Sequence, residues 1–185
     1  MRVYIFDENG ALDQLGADEL TIRKVCQRVA SQTRIPGLVV AFYAVRTRSA
    51  QWHGCAWNLQ LTPEGFRIGS EDRPWQCVRR FSVPVDLPSS YRLIRLCFGV
   101  PDCRDDGKDR LSYPLSYKDR YGWRWRVGNF PAHLALVFGH ELSHQEHARQ
   151  GRPGSNYQME CTAHREALEK ARHAGFDLQG WFCGR

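Results

Sequence analysis

The residues best suited to do chemistry stand together at His140, Glu141 and His144, in the order His-Glu-Leu-Ser-His. The two histidines are four residues apart. On a helix this spacing places both imidazole rings on one face, where they can bind the same metal ion. Glu141 could then act as a general base toward a water molecule at the metal. The chemistry that this pattern predicts is hydrolysis of a peptide bond at a zinc ion.

The surrounding sequence predicts that this motif lies inside a helix of about residues 130–150. Asn129 and Pro131 are start signals, and Gly151 is a stop signal. Six of the seven histidines fall within the last 53 residues of the chain. Apolar residues also recur every four positions, as on the buried side of a helix: Leu134, Phe138 and Leu142.

A catalytic zinc normally has three protein ligands and one place for water, so a third ligand is expected. A second helix is predicted over about 157–174, and the turn residues at 151–154 allow it to fold back onto the first. Its Glu160 and His164 are one turn apart, and either could bind the metal while the other supports the site. His147 is interpreted as a surface histidine, because one straight helix rarely brings three histidines to one ion.

The motif and the segment Glu160–Leu168 together resemble the gluzincin group of zincin metallopeptidases. The second segment is similar to that of small bacterial peptidases of the ImmA/IrrE type, and the resemblance covers about 35 residues, from His133 to Leu168. It implies zinc bound by the two motif histidines and Glu160, with Glu141 as general base. In several gluzincins an aspartate follows the ligand glutamate by one turn, and here His164 stands in that place.

The SprT-like proteases, which act on DNA-bound proteins, are the alternative relatives. They use three histidines, which would make His164 the third ligand. Their downstream histidine usually precedes a glycine, whereas His164 lies between Ala163 and Arg165. Because two histidines and one glutamate form an established catalytic zinc set, Glu160 is favoured over His164.

The predicted fold class is α+β and zincin-like, in one domain over residues 1–185. A sheet part over about 1–100 includes an N-terminal helix from Asp18 to about Thr33, and the sheet is expected to be twisted and mostly antiparallel. An irregular loop region over 101–129 leads to two antiparallel active-site helices over 130–174. The strand candidates are Arg2–Phe6, Leu38–Val45, Trp57–Leu61, Phe66–Ile68, Val78–Val85 and Arg92–Phe98.

The amino-acid composition argues against several classes of protein. Hydrophobic residues make up 42% and aromatic residues 12% of the chain, which argues against disorder. The sequence has neither a membrane-spanning apolar run nor a signal-peptide pattern, so a cytoplasmic protein is expected. The seven cysteines include no Cys-x-x-Cys pair and are expected to be mostly buried apolar residues.

The expected partner is a peptide or protein substrate. An edge strand, either Val78–Val85 or Arg92–Phe98, could pair with an extended substrate. The net charge of +6 also permits a different class, a basic module that binds nucleic acid without catalysis. In that case the segment Trp123–Arg126 would stack bases and contact phosphates. The interpretation preferred for this segment is packed aromatic residues beside the active site, with arginines that extend to the solvent.

Overall fold

The computed structural model describes residues 1–7, 10–47, 51–62, 65–68, 91–101, 113–152 and 156–183. Within them the elements follow in the order β1 (Arg2–Asp7), α1 (Ala11–Gln14), α2 (Glu19–Ala30), β2 (Leu38–Thr47), β3 (Gln51–Thr62), β4 (Gly65–Ile68), β5 (Tyr91–Pro101), β6 (Leu115–Lys118), β7 (Trp123–Val127), α3 (Phe130–Arg149), α4 (Tyr157–His173) and β8 (Leu178–Phe182). The predicted α+β class is confirmed. No helix in these ranges is long and apolar enough to cross a membrane.

The larger sheet has five strands in the order β1-β2-β5-β3-β4. It is mixed, which corrects the expectation of a mostly antiparallel sheet: β1 and β5 both run parallel to β2, and only the pairs with β3 are antiparallel. Parallel neighbours need a crossover connection, and α2 lies in the connection between β1 and β2. The hairpin predicted for β3 and β4 is confirmed by the pairing of Leu61 with Phe66.

Of the two strands predicted to pair with a substrate, the structure describes only one. Arg92–Phe98 lies in β5, between β2 and β3, so the prediction of an edge strand there is wrong. The backbone of a central strand is already hydrogen-bonded on both sides and cannot add another strand. Val78–Val85 lies outside the described residues.

A second sheet has three antiparallel strands in the order β6-β7-β8. Two of these strands fall in the region 101–129, which was wrongly predicted to be an irregular loop. The sequence held a signal for β7, since apolar residues and arginines alternate along Trp123–Val127 in the period of a strand, and the burial of these residues alternates in the same way. The third strand follows α4, beyond the last element that was predicted.

Helices α2 and α3 begin where their predicted caps place them. The Asp18 carboxylate accepts a hydrogen bond from the Thr21 backbone N–H at 2.6 Å, at the start of α2. The Asn129 side chain accepts one from the Ala132 N–H at 2.9 Å, at the start of α3. Such caps bind backbone donors that have no partner within the helix.

Helix α3 lies in the middle of the molecule and is buried on most sides. It contacts β3 and β5 of the larger sheet, β7 of the smaller sheet, and the helices α2 and α4. The predicted apolar side is fully buried: Leu134, Phe138 and Leu142. Gln145 donates a hydrogen bond to the Leu93 carbonyl at 3.2 Å, which ties α3 to β5 just beyond the His-Glu-Leu-Ser-His motif.

Helix α4 approaches α3 closely at Gly139, directly before the motif. A Cβ atom at this position would lie 3.3 Å from the backbone of Ala167. Ala163, Ala167 and Ala171 of α4 are fully buried. Small residues on both helices therefore allow the distance between their backbones to be short, and this brings side chains of α4 to the motif.

Candidate metal centre

Three side chains from the two helices meet at one point: His140 and His144 of α3 and Glu160 of α4. The Nε2 atoms of the two histidines are 3.0 Å apart. The Glu160 carboxylate lies 3.2 Å from Nε2 of His140 and 3.5 Å from Nε2 of His144. Among the described residues, no other set of three or more His, Cys, Asp or Glu is placed to hold a metal ion. These three residues, the candidate metal centre, could hold one.

The two histidines of the candidate metal centre differ in their electrostatic surroundings. Burial lowers the pKa of His140 to about 4, although a hydrogen bond with Glu160 works against this. Burial would also lower the pKa of His144, but a hydrogen bond with Glu160 and the charge of Glu141 raise it above its usual value. Because its pKa lies well below 7, His140 is neutral at pH 7. A neutral imidazole is the form that binds a metal.

Glu141 is buried, with 6% of its surface exposed. It lies next to His140 in α3, and its carboxylate is close enough to His144 to influence the pKa of that ring. Its part in proton transfer stays a prediction.

His164, the alternative ligand, is held by both of its ring nitrogens. Its Nε2 lies 2.7 Å from the Asp119 carboxylate, and its Nδ1 lies 2.7 Å from the backbone carbonyl of Glu160. The ring is 4.5 Å from that of His140, centroid to centroid, at nearly a right angle. Since both nitrogens already face an acceptor, this geometry favours Glu160 over His164 as the third ligand. His164 instead supports the backbone of Glu160.

Asp119 is the site residue that sequence reasoning missed. It lies between β6 and β7, and its carboxylate accepts hydrogen bonds from the backbone N–H groups of Tyr121 and Trp123 and from the Trp125 indole. Burial would raise the pKa of Asp119, but the hydrogen bonds from His164 and Trp125 and the charge of His164 lower it. A single aspartate in a turn has no fixed spacing from the motif, so only the folded chain places it beside His164.

The Trp125 ring that binds Asp119 lies across the neighbouring strand. Trp125 is paired with Gly180 of β8. A Cβ atom at position 180 would collide with the Trp125 ring. Glycine at this position therefore leaves the space in which the indole reaches Asp119.

The segment Trp123–Arg126 takes the packed form that was preferred for it. Trp123 and Trp125 are buried, and both rings lie against His164. Arg124 and Arg126 are exposed. The two indoles therefore cannot stack on bases.

His147 is not a surface histidine, contrary to the interpretation from the sequence. It is 4% exposed, and its Nε2 lies 3.1 Å from the Glu166 carboxylate. Nearby, Lys170 bridges the two helices through Glu146 at 2.9 Å and the Ser143 hydroxyl at 2.9 Å. The sequence could not show this burial, since it depends on α4 packing over the end of α3.

Comparison with protein-family models, curated proteins and solved structures found no match for this chain. Function must therefore be inferred from the geometry of the candidate metal centre.

Replacing Asp119 by Asn is expected to weaken metal binding at the candidate metal centre about 10- to 100-fold. The neutral amide would still fit in the turn but would hold His164, and through it Glu160, less firmly. The affinity can be measured by titration with Zn²⁺ against a competing chelator. Asp13→Asn, a matched change at an exposed residue of α1, should leave the affinity unchanged. Equal affinity in the two variants would mean that Asp119 has no part in positioning the site.

Proposed function

We propose that this protein is a zinc-dependent peptidase of the gluzincin type. The observation that carries the proposal is how close the donor groups lie: the two Nε2 atoms are 3.0 Å apart, Oε2 of Glu160 lies 3.2 Å from that of His140, and Oε1 lies 3.5 Å from that of His144. Zinc bonds of about 2.0–2.2 Å at tetrahedral angles place neighbouring ligand atoms about 3.3–3.6 Å apart. The distances to Glu160 are close to this spacing, and the distance between the two Nε2 atoms is slightly shorter. Nitrogen and carboxylate oxygen donors are also a set that zinc accepts in hydrolytic enzymes. The site residues therefore fit zinc.

The residues of the chain would divide the work of hydrolysis. His140, His144 and Glu160 bind the ion, which when present polarises a carbonyl and lowers the pKa of water to about 7. Glu141 accepts the proton of the attacking water on its carboxylate and passes it to the nitrogen of the leaving amine. The side chains of the three ligands are 16%, 15% and 10% exposed, so most of their surface is shielded from water and a small part stays accessible.

Further features support this class of protein. A helix that carries the two histidines is followed by a helix that carries the glutamate, and the first of these helices packs on the larger sheet. This order of elements agrees with the expectation from the resemblance to zincins. In the described part of the chain, three cysteines have free thiols: Cys26, Cys161 and Cys183. Free thiols suit a reducing compartment such as the cytoplasm.

Removal of the metal should abolish the activity. Cleavage of denatured casein, or of a mixed library of quenched fluorescent peptides, is expected to stop after treatment with 1,10-phenanthroline. It should return when one equivalent of Zn²⁺ is added after the chelator is removed, because all three ligands belong to one site. Cleavage that continues at an unchanged rate in protein shown to be free of zinc would contradict the proposal.

A further inference from the structure

The smaller sheet has an exposed face on the side away from the candidate metal centre. Strand register and exposure place six side chains on this basic face, in two rows that cross all three strands: Lys118, Arg124 and Trp181 in the first row, and Ser116, Arg126 and Gln179 in the second. The other side of the sheet carries the buried residues Trp123, Trp125, Val127 and Leu178. One side of β7 is therefore packed inside the protein, and the other side faces the solvent.

The basic face combines positive charge with one exposed aromatic ring. It has three cationic side chains and no carboxylate. None of the ion pairs among the described residues involves Lys118, Arg124 or Arg126. Trp181 is 47% exposed and stands directly across from Arg124. Burial of an indole is favourable, so its exposure beside cations that have no ion pair within the described ranges points to a ligand that covers it.

The spacing of the sheet suits a chain that alternates anionic and aromatic groups. Neighbouring strands lie about 4.8 Å apart, and side chains on one face of a strand repeat about every 6.7 Å. Lys118, Arg124 and Trp181 thus form a row about 10 Å long, with Arg126 beside it in the next row. Proteins that bind single strands combine such cations with an aromatic ring on which a base can stack.

We propose that the basic face binds single-stranded nucleic acid, with a base stacked on Trp181 and phosphates bound by Lys118, Arg124 and Arg126. An acidic peptide would use the cations but has no need of the indole. A duplex keeps the faces of its bases stacked within the helix, so it could not use the ring. The proposal stands apart from the peptidase function, because none of these four residues belongs to the candidate metal centre.

Binding can be measured by the fluorescence anisotropy of a labelled oligothymidylate of about 15 nucleotides, a length that covers one site. The full chain should bind it with an affinity that falls as salt rises. Trp181→Ala should weaken binding about 5- to 150-fold, the range found when a stacking aromatic is removed. Trp181→Phe keeps an aromatic ring and should retain much of the affinity, which separates loss of stacking from loss of fold.

Charge reversal supplies a matched pair of variants. Lys118→Glu should weaken binding and reduce the slope of log K against log salt by about 0.7, the contribution of one phosphate contact. Lys24→Glu makes the same change at an exposed position of α2 and should have little effect. Equal losses in these two variants, or no binding at low salt, would overturn the proposal. So would displacement of the oligonucleotide by poly-glutamate together with an unaffected Trp181→Ala, since that result would identify an acidic peptide as the ligand.

Discussion

Replacing Glu141 by Gln is expected to lower kcat for peptide cleavage about 10²- to 10⁴-fold. The amide has the size and shape of the carboxylate but cannot accept a proton from water at neutral pH. The three ligands remain, so the zinc content should stay at one ion per chain. Measurement requires kcat with the peptide substrate that the library identifies, and metal content by mass spectrometry of the same preparation.

A matched change on the other site helix provides the control for Glu141→Gln. Glu169 is exposed on α4, and Glu169→Gln should leave both kcat and the zinc content unchanged. Full activity of Glu141→Gln would remove Glu141 from the mechanism. Loss of zinc from Glu141→Gln would instead show that this residue holds the metal site together.

Replacing Glu160 by Ala is expected to weaken zinc binding more than about 100-fold, beyond the range found when only a supporting residue is lost. Glu160 supplies one of three donor atoms and the negative charge among them. Without it two neutral imidazoles would remain. His164→Ala should weaken binding less, by about 10- to 100-fold, since that ring supports the backbone of Glu160. Titration with Zn²⁺ against a competing chelator gives both constants.

The substitution that weakens zinc binding more, Glu160→Ala or His164→Ala, identifies the third ligand. Glu169→Ala, a change of the same type on the exposed side of α4, should bind zinc as the unchanged protein does. A larger loss in His164→Ala than in Glu160→Ala would make His164 the third ligand. The site would then resemble that of the SprT-like proteases.

Local patterns predicted the parts of the site that lie within single helices. The four-residue spacing of His140 and His144 requires only that α3 is a helix, and the cap at Asn129 and the buried row from Leu134 to Leu142 were enough to predict it. Glu160 could be proposed because few residues separate α3 from α4 in the sequence, and a short connection favours antiparallel packing of two helices. These predictions therefore depended only on residues that are close together in the sequence.

The parts that the sequence did not predict depend on contacts between distant elements. Asp119 reaches His164 because β6 and β7 pair and because Trp125 fits over Gly180. His147 is buried because Glu166 and its helix cover it. The parallel pair of β1 and β2 arises from the crossover through α2, since hydrophobic pattern alone does not give the direction of a strand. None of these contacts has a fixed spacing in the chain.

The most direct test of the candidate metal centre is a crystal structure of the zinc-supplemented protein, with an anomalous difference map recorded at the zinc absorption edge. One peak is expected, about 2.0–2.2 Å from Nε2 of His140, Nε2 of His144 and a carboxylate oxygen of Glu160, with the remaining position open to water. A zinc ion bound by His164 in place of Glu160 would contradict the ligand set. No zinc at the site in supplemented protein would contradict the account as a whole.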